Sequence, residues 1–163
     1  MESRYQRQLQ LPEIGTAGQK QIAQASVLVV GAGGLGCPAL QYLASSGVGC
    51  LGIIDPDTVE ISNLARQILY NESDLQKNKA LCARDKLKQL NPSIDIEAYS
   101  FALDHTNALS IIQKYDMVID GSDNFSTRYL ISDCCLLLHK PMIYGGLFKF
   151  EGQISVFNYQ KGP

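Results

Sequence analysis

The sequence has no CxxC pair, no strong charge of either sign, and no apolar run near the roughly 20 residues that span a bilayer. Each absence excludes something. Without CxxC a tetrathiolate zinc site cannot form within the chain, so no zinc site is expected. Without a long apolar run, no membrane span is expected. The formal charge is only -2 at pH 7. Neither nucleic acid nor a membrane surface is therefore expected as the main partner. Internal repeats, low-complexity stretches and long linkers are also missing. The five cysteines, Cys37, Cys50, Cys82, Cys134 and Cys135, form no disulfide-like framework. They fit a reducing compartment. Met1 to Gln10 is polar with no apolar signal core, so a cytoplasmic location is expected.

What remains is ordinary globular material: 163 residues, 45% apolar and 18% charged. That is enough for one domain with a real core. Ser26 to Val30 is a short continuous apolar run, as in a strand buried on both faces. Gly31-Ala-Gly-Gly-Leu-Gly36 follows directly, and Ala39 to Ser45 suits a buried helix after Pro38. Cys50 to Ile54 reads as a second strand, stopped at Asp55-Pro56. The polar stretch from Asp57 to Asp74 predicts one short helical piece.

Lys77 to Leu90 predicts a helix with Ala80, Leu81, Leu87 and Leu90 on one face. Ile94 to Tyr99 alternates as a third strand. Asp104 to Tyr115 predicts a helix with Leu109, Ile112 and Tyr115 at helical spacing. Asp116 to Asp120 predicts a fourth strand, Asn124 to His139 a helix, and Met142 to Tyr144 a fifth strand. Phe148 to Phe157 adds a hairpin-like edge. Gln160 to Pro163 closes in turn chemistry, as at a domain boundary or at a cut inside a longer protein.

Alternating strands and helices give the fold class: α/β, a Rossmann-like, doubly wound, mostly parallel sheet. It occupies residues 26–163, expected to be a nucleotide-binding domain with its C-terminal end cut short. Residues 1–25 read as an N-terminal helical arm lying on the domain or on a neighbouring subunit. Its apolar anchors are Leu9, Leu11, Ile14 and Ile22.

The glycine turn Gly31-x-Gly33-x-x-Gly36 lies between a strand and a helix. Glycines there let the backbone approach a phosphate, and the helix start offers free N–H groups and a positive dipole end. Asp55 ends the second strand, where a carboxylate accepts hydrogen bonds from ribose hydroxyls. That acid serves ATP and NAD alike. The basic residues Arg66 and Lys79, with Arg4 and Arg7 in the arm and polar Ser62 and Asn63 nearby, favour a triphosphate. Asp120-Gly-Ser-Asp123-Asn124 closes the fourth strand. In a doubly wound sheet it belongs on the same rim as the glycine turn and Asp55. An acid facing a triphosphate needs Mg²⁺ between them, and Asp123 is the expected ligand. As a structural alternative, Asp123-Asn124 is the N-cap of the next helix.

These residues, in this order, resemble the ThiF/MoeB/HesA group of ubiquitin-activating-enzyme-like adenylyltransferases. The resemblance runs from Arg4-Tyr5-x-Arg7-Gln8 almost to the last residue. It includes Gly31 to Gly36 and Asp55-x-Asp57-x-Val59-x-x-Ser62-Asn63-Leu64-x-Arg66-Gln67. It continues through Lys79, Asn91-Pro92, Asp120-x-x-Asp123-Asn124-x-x-x-Arg128 and Glu151-Gly152-Gln153.

The resemblance implies ATP against the glycine turn, Gly34 included, and its ribose on Asp55. It implies phosphates on Asn63, Arg66 and Lys79, and Mg²⁺ on Asp123 beside Asn124. It further implies that Arg7 reaches the ATP of the other subunit of a homodimer. The implied reaction is adenylylation of the C-terminal glycine carboxylate of a ubiquitin-like sulfur-carrier protein ending in Gly-Gly. The thiamine-type, molybdopterin-type and related routes share these motifs. The chain departs from the pattern at Ala65 and around Gln76-Lys77, which leaves Lys77 as the alternative to Lys79. It also lacks the family's downstream CxxC pairs.

Two other readings stand beside this one. An NAD-binding oxidoreductase domain explains the glycine turn and Asp55, but gives no use to Arg7, Arg66, Lys79 and Asp123 together. A catalytically silent carrier-binding module keeps the fold without turnover. Cys37, at a helix start where a thiol pKa can fall, is read as a core residue rather than a nucleophile. Cys134 and Cys135 are read the same way.

Overall fold

The computed structural model describes residues 4–160 and Gly162. Met1 to Ser3, the start of the polar N-terminal stretch, and Lys161 and Pro163 of the closing turn lie outside them. In chain order the elements are α1 (Gln6–Leu9), α2 (Gly15–Gln24), β1 (Ser26–Val30), α3 (Gly36–Ser46) and β2 (Cys50–Ile54). Then come α4 (Lys79–Leu90), β3 (Asp95–Tyr99), α5 (Ala108–Ile112), β4 (Met117–Asp120), α6 (Phe125–Leu137), β5 (Met142–Phe148) and β6 (Glu151–Phe157).

The centre of the sheet follows from one sequence feature. In β1 every residue after Ser26 is apolar and buried. Successive side chains point to opposite faces. Val27 and Val29 join one core with Leu40 of α3 and Leu87 of α4. Leu28 and Val30 join the other with Ile112 of α5 and Ile131 of α6. Both faces of the sheet's centre are thus covered by helices, while β6 at the edge is exposed. The strand order is β3-β2-β1-β4-β5-β6. The first five strands pair in parallel, and β6 pairs antiparallel with β5. The order reverses between β1 and β4, so the carboxyl ends of these strands and of β2 open onto one crevice.

Several elements differ from the sequence reading. The predicted helix from Asp104 shrinks to α5, because Asp104 and Asn107 tie a turn instead. The Thr106 N–H and hydroxyl both donate to Asp104, and the Asp104 N–H donates to Asn107. The buried residues there are Ala108, Ile111, Ile112 and Tyr115, while Leu109 faces out. α4 begins at Lys79 rather than Lys77, because the Asn78 side chain caps it by accepting the Leu81 N–H at 3.1 Å. Its buried face is Ala80, Ala83 and Leu87, and Leu81 and Leu90 are exposed. β5 runs on to Phe148 because β6 pairs along its whole length. The polar stretch holds two short 3₁₀ turns, Ile61–Asn63 and Glu72–Asp74.

The arm packs against its own domain. Tyr5 is buried, Leu9, Ile14 and Ile22 are half-buried, and Leu11 is exposed. The side-chain amides of Gln8 and Gln19 both donate to the Ser46 carbonyl, and Arg4 donates to the Leu90 carbonyl. These contacts cover the C-terminal ends of α3 and α4, away from the crevice. Among the described residues no helix is long and apolar enough to cross a membrane.

Candidate functional site

The crevice is a cleft of about 930 Å³. Its walls bring together Gly31, Gly33, Gly34, Asp55, Asp57, Asn63, Arg66, Lys79, Asp123 and Asn124. Gly36, Ser62 and Arg7 are not on the walls.

The glycine turn divides into two kinds of position. Gly31 adopts φ 90°, and a Cβ there would stand 2.7 Å from the Gly121 carbonyl oxygen. A Cβ at Gly36 would overlap the Gly31 carbonyl oxygen. Gly36 therefore lets α3 approach β1. Gly33 and Gly34 instead face open space, with only the Gln67 and Arg66 side chains near. Both line the cleft just before the start of α3, where a backbone close to an anion is suitable.

Asp55 is 5% exposed. Its Oδ2 accepts the Ala32 N–H at 2.7 Å, and its Oδ1 accepts the Asp57 N–H at 2.9 Å. Burial pushes its pKa above the usual carboxylate range, against the pull of those two hydrogen bonds and of Lys79. The carboxylate is thereby fixed to the glycine turn. Beside it, Val30, Ile54 and Leu103 supply an apolar wall to the same cleft.

Lys79 is 6% exposed and opens α4. Its Nζ lies 2.9 Å from Asp57 Oδ2, whose side chain remains mostly open to solvent. The Lys79 N–H donates to the Asp57 carbonyl, and the Tyr70 hydroxyl, with one proton to give, lies 2.8 Å from the Ala32 carbonyl oxygen and 3.2 Å from that of Lys79. Tyr70 thus ties the glycine turn to the start of α4. Lys77 is exposed and off the walls, so Lys79 is the lysine that faces the cleft. Arg66 is exposed, reaches along Gly34, and donates to the Ser62 carbonyl at 3.1 Å. Ala65, where the chain departs from the family pattern, is exposed and off the walls.

On the opposite wall, Asn124 caps α6 by accepting the Thr127 N–H at 2.9 Å. Asp123 is exposed to the cleft. Among the described residues its carboxylate has no hydrogen bond or ion pair. No group of three or more His, Cys, Asp or Glu among the described residues could hold a metal ion by itself. A cation here would have to share Asp123 with oxygens of a bound ligand. That suits Mg²⁺, which takes one or two carboxylates plus phosphate oxygens.

Glu60, Gln67, Thr127 and Arg128 also line the cleft. The sequence reading gave none of them a role, although Gln67 and Arg128 stood inside quoted motifs. Cys37 is fully buried and donates to the Ala32 carbonyl at 3.2 Å. Burial raises its pKa to about 11, the opposite of an activated thiol. Cys134 and Cys135 are buried between α6 and the sheet, and burial raises both.

Arg7 is exposed on α1, beside Tyr5. The arm sits at the far end of α3, a helix of 11 residues that spans about 16 Å at ~1.5 Å per residue. Arg7 is therefore remote from the cleft of its own chain.

Known proteins resemble the chain along nearly its whole length. The model of the ThiF family matches residues 5–163. A Porphyra purpurea relative named "Probable molybdopterin-synthase adenylyltransferase" is 52% identical over 161 residues. That match covers 99% of this chain and 42% of the relative. The "Sulfur carrier protein adenylyltransferase" of Thermus thermophilus is 51% identical over 156 residues, covering 96% of this chain and 58% of the relative. Among solved structures, PaaA superposes with a TM-score of 0.85 at 28% identity, covering 98% of this chain and 52% of that one. E. coli MccB with AMPCPP and MccA gives 0.83 at 26% identity, covering 93% and 47%. The chain thus spans about half the length of these relatives. A match running over nearly the whole chain, to relatives sharing half its residues, makes it a member of the ThiF family.

Proposed function

We propose that this cleft binds ATP and, as part of a cytoplasmic homodimer, adenylylates the C-terminal glycine carboxylate of a ubiquitin-like sulfur-carrier protein ending in Gly-Gly. The observation that carries the reading is the common cleft of Gly33, Gly34, Asp55, Asn63, Arg66, Lys79 and Asp123. Asp55 faces the ribose, beside the apolar wall that suits a base. Gly33, Gly34, Asn63, Arg66 and Lys79 face the phosphates. The names of the relatives support a molybdopterin-type or other sulfur-carrier route over a thiamine-type one. The MccB neighbour was solved with AMPCPP and MccA, which supports a substrate partner beside a nucleotide.

The chemistry needs no general base. A peptide C-terminal carboxylate, with a pKa of about 3.3–3.7, is ionised at pH 7. Its oxygen attacks the α-phosphorus. The bond from that phosphorus to the bridging oxygen breaks, and pyrophosphate leaves with the electron pair. The obstacle is bringing an anion to a polyanion. At ~4 Å two like charges repel by about 1 kcal/mol in water and about 4 kcal/mol at an effective dielectric of 20. Arg66, Lys79 and Arg7 of a second subunit offset that repulsion and stabilise charge moving onto pyrophosphate. Asp123, whose carboxylate has no partner among the described residues, would hold Mg²⁺, which would neutralise part of the phosphate charge.

ATP–pyrophosphate exchange tests the proposal. Expected is exchange that requires Mg²⁺ and a Gly-Gly carrier, and that falls by about 10²–10³-fold in Asp123→Ala with the folded circular dichroism spectrum kept. NAD binding without exchange would favour the oxidoreductase reading. Carrier binding without exchange would favour a silent module.

A further inference from the structure

We propose that Arg128 and Asp120 are positioning residues that together hold the segment Gly121–Asn124, and so set where Asp123 faces in the cleft. An exposed carboxylate without partners is directional only if the backbone carrying it is rigid. The grip on that backbone is centred on Ser122, one residue before Asp123. The Ser122 N–H and hydroxyl both donate to Asp120 Oδ1, at 2.9 and 2.6 Å. The Ser122 carbonyl accepts from Arg128 Nη2 at 2.8 Å. Two oppositely charged side chains, one ending β4 and one a turn into α6, thus hold the same residue from both sides. On the other side of Asp123, Asn124 caps α6.

Arg128 is itself immobilised. Its Nη1 donates to the Tyr144 hydroxyl at 3.1 Å. Its guanidinium lies 5.1 Å from the centre of the Tyr144 ring and 5.6 Å from that of Phe125, within cation–π range.

The unmade contact is the informative one. Arg128 Nε and Asp120 Oδ2 face each other at 3.9 Å, and both atoms are buried without a hydrogen-bond partner. Asp120 is fully buried. A guanidinium serving only to neutralise that acid would turn its fork to the carboxylate and close a bidentate pair. Here the fork is directed to the Ser122 carbonyl and the Tyr144 hydroxyl instead. The geometry therefore fits a brace for the loop better than a simple ion pair.

The consequence for the reaction rests on the proposed role of Asp123, but the brace is testable without any ligand. Hydrogen–deuterium exchange of the ligand-free chain should show Ser122 amide exchange roughly tenfold faster in Arg128→Met. Arg128→Lys, which keeps one donor, should restore part of the protection. Tyr144→Phe, which leaves the Ser122 contact in place, should leave protection unchanged. If Arg128→Met fails to fold, Arg128→Gln carries the same test, since its amide is too short to reach the Ser122 carbonyl. Unchanged Ser122 protection in the folded variant overturns the brace.

In ATP–pyrophosphate exchange, Arg128→Met should lower kcat by about 10²-fold, with the KM for carrier nearly unchanged. A raised carrier KM with intact Ser122 protection would instead make Arg128 a substrate contact, and the positioning role would fall. Absence of exchange in the parent chain would count against the proposed activity while leaving the amide-exchange result to stand or fall alone.

Discussion

The hydroxyl of Tyr5 accepts a hydrogen bond from the Asn91 side-chain amide at 2.8 Å, across 86 residues of sequence. Asn91 is fully buried, and its side chain makes three further bonds. It donates to the Ala44 carbonyl at 2.7 Å, and its Oδ1 accepts from the Ser93 N–H and hydroxyl. One asparagine thus joins the arm, the end of α3 and the turn after α4. The Tyr5 ring fills the space left by Gly47, where a Cβ would stand 2.5 Å from it. Tyr5→Phe should cost about 1 kcal/mol, the net value of a typical hydrogen bond. Asn91→Ala should cost about 2–4 kcal/mol, because it also strands the buried partners of the lost amide. Urea unfolding of the two variants measures both. Equal losses would show that the amide's other bonds carry little weight.

That contact also marks the limit of sequence reading. Periodicity alone located β1, because a strand apolar on both faces has to be interior. The glycine turn, Asp55 and Asp123 were legible because they follow strands whose ends must share a rim. Asn91 was visible only as part of a motif, since nothing local reports that its partner is Tyr5. Leu109 and Leu81 were placed on buried faces because apolar spacing was counted without knowing where each helix starts. Asp104, Asn107 and Asn78 decided those starts through side-chain hydrogen bonds. Glu60 reaches the cleft through tertiary folding and carries no spacing signal of its own, while Arg128, like Asn91, was visible only as part of a motif.

The two kinds of glycine in the phosphate turn should separate stability from binding. Gly36→Ala forces a methyl into the Gly31 carbonyl oxygen. It should cost about 3 kcal/mol or more, at the upper end of overpacking penalties, or prevent soluble expression. At Gly34 a Cβ would meet only Arg66 at ordinary contact distance, 3.7 Å. Gly34→Ala should stay within about 1 kcal/mol of the parent. It should nevertheless weaken ATP binding by roughly tenfold, because the methyl stands where the phosphate would approach the backbone. Thermal unfolding and calorimetric titration with ATP separate the two outcomes. A destabilised Gly34→Ala with normal affinity would contradict the division.

Asp55 gives a pH dependence with two opposite signs. Burial raises its folded pKa above the value in the unfolded chain. The folded state therefore binds this proton more readily than the unfolded one. Its contribution to the stability of the ligand-free fold should improve as pH falls through the raised pKa, and its desolvation cost should be fully present above it. ATP affinity should move the other way. Protonation removes an acceptor for ribose hydroxyls, so binding should weaken in the same window, above the usual aspartate range. Asp55→Asn should abolish this pH step in affinity. Binding measured from about pH 4 to 7 with parent and variant tests it; a step that survives in Asp55→Asn belongs to another group.

The position of Arg7 makes the strongest prediction about assembly. The arm is fixed at the C-terminal ends of α3 and α4 by Arg4, Tyr5, Gln8 and Gln19, while the cleft opens at the N-terminal ends of those helices. If Arg7 acts on ATP, it must do so in the cleft of another copy. Arg7→Ala and Asp123→Ala homodimers should then both lack exchange activity. In a mixed dimer, one cleft combines both defects and the other combines neither. Mixing should therefore restore activity, up to about half the parent rate per heterodimer if the clefts work independently. Tagged co-purification establishes that heterodimers have formed. No recovery in proven heterodimers would mean that Arg7 and Asp123 serve the same cleft or that Arg7 has no part in the reaction.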